Sequence, residues 1–419
     1  MIKNRWFILF VGVLLMLAAG IVYAWSVMAS PILKEFDSWT GAQISLAFTI
    51  MMIAFCVGNI VSGFLQKKST PRVFILIAGA LFLVGFFLAS RISTLNGLYL
   101  SFSVLCGIGS GLAYNTTMAV IGRWFPDRMG LINGIILMGF GFSAFIVGIL
   151  YQAYTPPAIG GWRNSFVFMG IVIFVVFVIC SFLLVRPGSD YKPPSSAKSK
   201  IKRVNPVAIE ASPGVLLTRP QFWLLYGWCV LINAASLALV SQARFIGNQF
   251  ETTIITAATI TTVVGLISIF NSVGRVILGQ LYDAAGRGVT MLVTTCLLIL
   301  SGCVLLFALS SNNFVFLTAG FIIGGMAYGG VTPTIAAFMG SYFGMTHYAA
   351  NMSIIATVLI PSSFGSAVAG SLHDASKSYQ STVYMMIVLG VVAVVTSMLI
   401  SLADKNASIK KYNGAIKLE

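Results

Sequence analysis

Apolar residues in this chain are grouped into runs of about 20, the length that crosses the hydrocarbon core of a membrane as a helix. Six such runs are followed by a polar break and then by six more. The predicted spans are 6–30, 42–66, 73–91, 98–122, 129–152, 163–186, 221–246, 254–281, 289–310, 313–340, 347–372 and 379–402. The pattern predicts an all-α membrane protein with twelve transmembrane helices in two six-helix halves.

The polar break is a predicted linker. It contains the adjacent prolines Pro193 and Pro194, two serines and a cluster of lysines and arginine, so it cannot itself cross the membrane. The predicted organisation is an N-terminal six-helix bundle at 1–186, a cytoplasmic linker at 187–220, a C-terminal six-helix bundle at 221–402 and a cytoplasmic tail at 403–419.

The two halves repeat each other weakly in sequence. Two short patterns recur at offsets of 216 to 218 positions: Gly63 matches Gly279, and Trp124-Phe125 with Asn133 matches Tyr342-Phe343 with Asn351. Together with the six-linker-six layout, these matches predict a pseudo-symmetric duplicated bundle. That is the plan of transporters that rock two halves around a site near the bilayer midplane.

Composition and charge support the same topology. Hydrophobic residues make up 58% of the chain and charged residues only 8%, against about 25% charged in soluble proteins, so a soluble particle is excluded. Of the 25 basic residues, 19 fall on one side of the predicted bilayer and four on the other. Both termini are therefore expected in the cytoplasm. The net charge of +15 is interpreted as this loop bias, with the lipid bilayer and not nucleic acid as the partner.

The strongest candidate for chemistry is Arg275, inside the eighth span. An ionisable group in the hydrocarbon costs at least about 2.5–3.5 kcal/mol, so it suggests function. Residues 268, 271, 275 and 279 share one helical face, and no acidic residue lies in a span interior. A substrate carboxylate bound bidentately is the expected partner of Arg275. The alternative is that Arg275 reaches toward the cytoplasm or hydrogen-bonds carbonyls and only holds helices together.

Other polar side chains within spans are weaker candidates. Arg244, near the outer end of the seventh span, fits either a gate or an interfacial anchor. The others could line a substrate cavity, or be belt and helix-packing residues. They are Tyr23, Tyr114, Tyr328, Asn271 and Asn59, the last at the position equivalent to Arg275 in the first half.

Several kinds of chemistry lack their sequence signals. The chain has no GxxxxGK[ST] phosphate loop, no HExxH or GxSxG motif and no paired carboxylates in the spans. The six cysteines form no CxxC pair. We therefore expect a carrier and not an enzyme, with no metal and no cofactor.

The chain resembles the major facilitator superfamily, and within it the oxalate/formate antiporter group related to the monocarboxylate transporters. The resemblance covers nearly the whole chain. Its motifs are Asn4-Arg5-Trp6-Phe7, Tyr23-Ala24-Trp25-Ser26, Tyr114-Asn115-Thr116-Thr117, Arg123-Trp124-Phe125-Pro126-Asp127-Arg128, Pro220-Gln221-Phe222-Trp223, Gly274-Arg275 and Gly279 to Arg287.

The resemblance implies alternating access, with a small organic anion held by Arg275. It also implies that the tyrosines at 23, 114 and 328 line the cavity. Asp283 and Arg287 would latch the two halves on the cytoplasmic side in the outward-open state. The first-half copy of that motif is degraded, with Lys67 in place of the acid.

The eleventh span guides the choice of substrate. The oxalate carrier of this group is similar but has a lysine in that span, whereas this chain has no basic residue between His347 and Lys377. One cation matches one negative charge, so we expect a monocarboxylate such as formate, lactate, pyruvate or acetate. Transport would be by anion exchange or by symport with protons.

Alternative functions stay open at this point. They are antiport of oxalate or another dicarboxylate, transport of a drug or sugar by the same fold, and a transporter-like membrane sensor. The linker and tail are too short to form an output domain, so a sensor would need a separate partner. The expected location is the prokaryotic cytoplasmic (inner) membrane, as a multi-pass protein.

Overall fold

A computed structural model describes residues 4–21, 25–36, 38–39, 41–66, 68–155, 160–188, 191 and 208–416. These residues form helices and connecting turns, and no strand occurs among them. In chain order the helices are α1 Arg5–Ala19, α2 Trp25–Glu35, α3 Gly41–Leu65, α4 Pro71–Ala89, α5 Leu95–Leu98, a π-helix Tyr99–Cys106, α6 Gly107–Trp124, α7 Met129–Tyr154, α8 Trp162–Leu183, α9 Pro213–Leu217, α10 Pro220–Asn248, α11 Ala257–Ala285, α12 Arg287–Ser311, α13 Phe314–Phe343, α14 Tyr348–Ile355, a 3-10 turn Ala356–Val358, α15 Leu359–Ser376 and α16 Gln380–Ile416.

The predicted twelve-span pattern is confirmed. Ten helical stretches of the described chain are long and apolar enough to cross a membrane, and two shorter apolar helices, Arg5–Ala19 and Met129–Ser143, occupy the first and fifth predicted spans. Their starts follow ordinary capping rules. Asn4 accepts a hydrogen bond from the Trp6 amide, Thr256 from the Thr259 amide, and proline begins α4 and α10.

The first predicted span consists of two helices, α1 and α2, instead of one. The chain leaves α-helical geometry at Gly20. A side chain at Gly20 would collide with the Phe140 carbonyl oxygen and with Ser143 of α7. Glycine allows this close approach of the two helices, and no local sequence pattern signals it.

The fourth and eleventh spans also depart from continuous α-helix. Eight residues of the fourth span, Tyr99–Cys106, form a π-helix between α5 and α6. The eleventh span is interrupted by the 3-10 turn at Ala356–Val358. Pro361 lies in the first turn of α15, a position at which proline is tolerated.

The last helix is longer than its predicted span. α16 begins at Gln380, as expected, but continues to Ile416, through most of the segment predicted as a tail after residue 402. A salt bridge from Arg287 to Asp404, 3.2 Å long, anchors the helix just beyond the predicted end of the span.

Contacts divide the chain into two compact units. The first comprises Met1–Asp127, Ile135–Pro194 and Tyr348–Ala356, and the second comprises Arg128–Gly134, Ser195–His347 and Thr357–Glu419. An aromatic cluster fills the centre of the first unit, where the buried rings of Phe82, Phe86, Phe102 and Phe166 contact one another. In the second unit, buried Trp228 donates a 3.0 Å hydrogen bond to Thr295 across α10 and α12.

Candidate functional site

The candidate site in the second unit is built on the crossing of α11 and α13. A side chain at Gly329 would collide with the Asn271 carbonyl oxygen and lie 2.9 Å from the Arg275 amide nitrogen. One turn earlier, Gly325 packs in the same way on the carbonyl of Ile267. Small residues let the two helix backbones touch, and this contact fixes the position of the α11 face that carries Arg275.

Arg275 lies inside α11 and is 6% exposed. Its Nε donates a 3.3 Å hydrogen bond to Oδ1 of Asn271, one turn earlier on the same face. The structure therefore brings these two predicted site residues together. Asn271 is a neutral partner that orients the guanidinium without neutralising its charge.

Tyr328 and Arg244 lie elsewhere in the second unit. Tyr328 immediately precedes Gly329 and is half-buried, so its backbone lies at the level at which α13 crosses Asn271 and Arg275. Arg244 is half-buried near the end of α10. Their roles as a cavity residue and as a gate stay predictions.

In the first unit, Tyr114 belongs to an aromatic cluster. Its ring makes edge-to-face contacts with Phe55 at 5.3 Å and with Phe140 at 5.5 Å between centroids. The side chain is half-buried. These contacts hold the ring of Tyr114 between α3 and α7.

Asn59 is fully buried at the crossing of α3 and α6. Its Nδ2 donates a hydrogen bond to the backbone carbonyl of Phe55 at 3.1 Å. The backbone carbonyl of Asn59 in turn accepts a 3.1 Å hydrogen bond from Nδ2 of Asn115. The contacts described for Asn59 are therefore helix-packing contacts, the alternative noted for such residues, and its role as a cavity wall stays a prediction. Tyr23 lies outside the described residues.

The predicted gate residues have separate partners. The Asp283 carboxylate accepts 2.8 Å hydrogen bonds from the amides of Gly130 and Leu131, in the first turn of α7. A carboxylate placed at the amino end of a helix is stabilised by unpaired amides and by the helix dipole. Arg287, four residues after Asp283, instead donates to the Tyr342 hydroxyl at 2.9 Å and pairs with Asp404.

Sequence reasoning missed the partners of Arg287. Tyr342 donates a 2.6 Å hydrogen bond to Asp404, and Arg287 also donates to Ser401 at 3.0 Å. Tyr342 was visible as part of the internal repeat, but Asp404 was assigned to the tail. Only the longer α16 brings its carboxylate to α12 and α13.

The end of the linker also contributes an unexpected contact. Ile209 and Ala211 donate backbone hydrogen bonds to the carbonyls of Tyr342 and Phe343. Between them, the Glu210 carboxylate accepts from the amides of Met345 at 3.4 Å and Thr346 at 3.0 Å. Burial alone would raise the pKa of Glu210, but hydrogen bonds from Thr346 and Met345 outweigh it, so the pKa is lowered from its usual 4.5.

Comparison with known proteins agrees with this architecture. The family model of the Major Facilitator Superfamily matches residues 8–359 and, in a second match, 251–416. Among solved structures, the proton:xylose symporter XylE bound to 6-bromo-6-deoxy-D-glucose superposes with a TM-score of 0.70 at 13% identity, covering 95% of both chains. At this identity the similarity concerns the fold alone.

Two relatives indicate the branch of the family. The oxalate:formate antiporter of Oxalobacter formigenes is 27% identical over 292 residues, which are 70% of this chain and 66% of the antiporter. Human monocarboxylate transporter 14 is 30% identical over 191 residues, 46% of this chain and 36% of that protein. The matches thus span less than two thirds of each relative. The chain is a multi-pass integral membrane protein that belongs to the Major Facilitator Superfamily, a family of transporters.

Proposed function

We propose that this protein is a secondary transporter of small monocarboxylates, such as formate, lactate, pyruvate or acetate, that works by alternating access. Arg275 binds the substrate carboxylate in the proposal. The relatives named as an oxalate:formate antiporter and a monocarboxylate transporter support the substrate class. The proposed location is the prokaryotic inner membrane, with both termini in the cytoplasm.

The observation that carries the proposal is the placement of Arg275. Arg275 is 6% exposed on a membrane-spanning helix, and the side-chain amide of Asn271 orients its guanidinium. A permanent positive charge in this setting attracts an organic anion strongly, because charge interactions are screened little in a low-dielectric interior.

The chemistry of binding follows from the shape of the guanidinium. Arginine can donate two parallel hydrogen bonds to one carboxylate, which fixes the orientation of the anion as well as its charge. In the proposal, the guanidinium of Arg275 donates these hydrogen bonds to the substrate carboxylate. Tyr114 and Tyr328 are the proposed cavity residues that would stack on, or donate hydrogen bonds to, the rest of a small substrate.

The gate in the proposal is Asp283. Asp283 lies on α11, and its carboxylate accepts hydrogen bonds from two amides in the first turn of α7. These bonds support a role in holding the two helices together at the cytoplasmic side during one stage of the transport cycle. Gly130 and Gly279 support the same role, because a side chain at either would collide with the carbonyl oxygen of the other. Arg287 serves the gate indirectly by tying α12 to Tyr342 and Asp404.

The test is uptake of labelled lactate and formate into proteoliposomes. Arg275→Gln should abolish uptake, and Arg275→Lys should restore only a small part, since lysine keeps the charge but not the bidentate geometry. Arg72→Gln is the control. Arg72 is an exposed arginine in the first turn of α4, and its guanidinium lies 4.6 Å from the centroid of the Phe182 ring. Uptake by a correctly inserted Arg275→Gln protein at the parental rate would disprove the role of Arg275.

Exchange and symport are separated in the same vesicles. Liposomes without internal substrate should accumulate label only when a pH gradient is imposed, if protons are co-substrates. If the protein is an exchanger, uptake should require internal carboxylate and ignore the gradient.

A second candidate, oxalate antiport, is favoured by the similarity to the oxalate:formate antiporter. The proposal for monocarboxylates over oxalate is supported by the lack of a lysine or arginine between His347 and Lys377. Competition decides between them: lactate and formate should compete with labelled substrate more strongly than oxalate. Tight competition by oxalate with no effect of monocarboxylates would select the second candidate.

A further inference from the structure

A groove of about 620 Å³ lies on the first unit, between the end of α4 and the π-helix. Its lining includes Leu88, Arg91, Ser93, Thr94, Leu100 and Val104. Arg91 falls on the outer side of the predicted topology, so the groove lies at the expected level of the outer lipid headgroups.

Helix geometry opens the groove at one end. A side chain at Gly85 would lie 2.7 Å from the Cys106 sulfur and 3.0 Å from the Ser101 carbonyl, so α4 and the π-helix touch there. The π-helix has a wider turn than an α-helix and often marks a functional site. Toward Leu88 and Arg91 the two elements leave the space that forms the groove.

The turn that carries Arg91 is held rigidly. Arg163 donates hydrogen bonds of 2.9 and 3.0 Å to the carbonyls of Ser90 and Ile92, on either side of Arg91. Arg163 is itself fixed by a 2.6 Å salt bridge to Glu35. The Arg91 guanidinium lies 4.4 Å from the ring centroid of Phe87, one turn earlier on α4, and stays exposed. The cation is therefore positioned before any ligand arrives.

The lining has a polar end and an apolar end. Arg91, Ser93 and Thr94 supply one positive charge and two hydroxyl groups, and none of the lining residues is acidic. Leu88, Leu100 and Val104 supply the apolar wall, with Leu100 67% exposed. This division matches a molecule with an anionic head and a hydrocarbon tail.

We propose that this groove binds an anionic glycerophospholipid of the outer leaflet, with a phosphatidylglycerol-type headgroup. The phosphate contacts Arg91, the headgroup hydroxyls hydrogen-bond Ser93 and Thr94, and one acyl chain lies along Leu100 and Val104. A choline or ethanolamine headgroup fits less well, because its cation would face Arg91 with no carboxylate in the lining to receive it.

The test uses purified full-length protein in neutral detergent, titrated with phosphatidylglycerol or phosphatidylcholine of matched chain length. Native mass spectrometry counts bound lipid, and thermal melting reports stabilisation. The parent should retain at least one phosphatidylglycerol and melt several degrees higher with it than with phosphatidylcholine. Arg91→Gln should weaken phosphatidylglycerol binding about tenfold. Arg72 also stacks on an exposed phenylalanine, Phe182, but lies outside the groove, so the Arg72→Gln protein should bind the lipid as the parent does.

A second variant tests the hydrocarbon end. Val104→Phe should reduce retention of phosphatidylglycerol with Arg91 intact, and glycerol 1-phosphate, which lacks acyl chains, should give no thermal shift. Equal binding of the two lipids by the parent, or equal loss of binding in the Arg91 and Arg72 variants, would overturn the proposal. So would a Val104→Phe protein with undiminished lipid retention.

Discussion

Two helix pairs, α3 with α6 in the first unit and α11 with α13 in the second, are packed by the same device. In each pair a glycine rests on the carbonyl oxygen and the next-turn amide of the partner helix. Gly111 lies on Phe55 and Asn59, and Gly329 lies on Asn271 and Arg275. The contacts correspond at the offsets of the sequence repeat, 216 for the first helix and 218 for the second. The backbones of the two pairs are therefore built alike.

The pairs differ in their side chains: Asn59 stands where the second pair has Arg275, and Phe55 stands where it has Asn271. Asn59 is fully buried and donates to a carbonyl of its own helix, whereas the equivalent Arg275 is 6% exposed and donates to the Asn271 side chain. Equal backbones with unequal side chains indicate that the scaffold is shared by the halves while the proposed anion site belongs to one of them.

The largest effect is expected when the second pair is given the residue of the first. Arg275→Asn should lower monocarboxylate uptake about 100-fold or more, because loss of a charged, hydrogen-bonded partner costs a bound anion roughly 2–5 kcal/mol. Thermal melting should change little, since asparagine occupies the same position of α3. Uptake is measured in proteoliposomes with equal amounts of inserted protein.

The reverse replacement is the control. Asn59→Arg puts a charge at a position with no exposure and should impair insertion or folding, by at least about 2.5–3.5 kcal/mol. A stable Asn59→Arg protein would mean that the two pairs are equivalent in environment as well as backbone, contrary to the structure.

The packing glycines should give the next largest effect. Gly111→Ala and Gly329→Ala should each destabilise the protein by about 1–3 kcal/mol, because the new methyl group meets backbone that cannot move aside. Gly265→Ala is the matched control on α11, since nothing lies within 4 Å of its added carbon. Melting in detergent checks all three. Alanine favours the helix more than glycine does, so the Gly265 variant should melt no lower than the parent. If it loses as much stability as the other two, contact with the partner helix does not explain their loss.

The loops after α6 and α13 extend the comparison. In the first unit Arg5 pairs with Asp127 at 2.8 Å, with side chains 14% and 10% exposed, and lies 4.7 Å from the Phe125 ring. Arg5→Gln should cost about 1–2 kcal/mol, since it removes a hydrogen-bonded cation from a poorly exposed carboxylate. The measurement is the melting temperature, and the double variant with Asp127→Asn should recover part of the loss.

The smallest effect is expected at Glu210 in the second unit, whose carboxylate accepts hydrogen bonds from two amides of the loop after α13. Its lowered pKa means that it stabilises the folded state above pH 4.5 and loses this contribution as the pH falls through the folded pKa. Because Glu210 is exposed, Glu210→Gln should cost about 0.5 kcal/mol or less at pH 7. The parent and variant should converge in melting temperature in acid. Divergence on acidification would contradict the assignment.

Local patterns in the sequence predicted most of the fold. Span number and position follow from the cost of moving each segment into hydrocarbon, which depends mainly on that segment's own composition. The same holds for Asn271 and Arg275, because a spacing of four places both on one helical face. The offset between halves also predicted which residue of α3 corresponds to Arg275.

Contacts between distant segments could not be predicted in this way. Gly20, where α1 ends, packs against α7. The π-helix lies within an ordinary apolar run of the sequence. One hydrogen-bond partner of Arg287 is Ser401, 114 positions away in the chain. The resemblance implies that Asp283 and Arg287 latch the two halves together, and this role stays a prediction. The structure shows Asp283 accepting hydrogen bonds from amides of α7, and Arg287 paired with Asp404 of α16.

The sequence by itself determined the number and positions of the spans, the family, and Arg275 as the residue on which the proposed function rests, because hydrophobicity and helical spacing act over a few turns. Tertiary structure decided what each polar group touches: Asn271 beside Arg275, the α7 amides on Asp283, and Asp404 on Arg287. Those pairings depend on which helices meet and at what height. Glycines that let backbones touch set that height, and their partners lie far away in the chain.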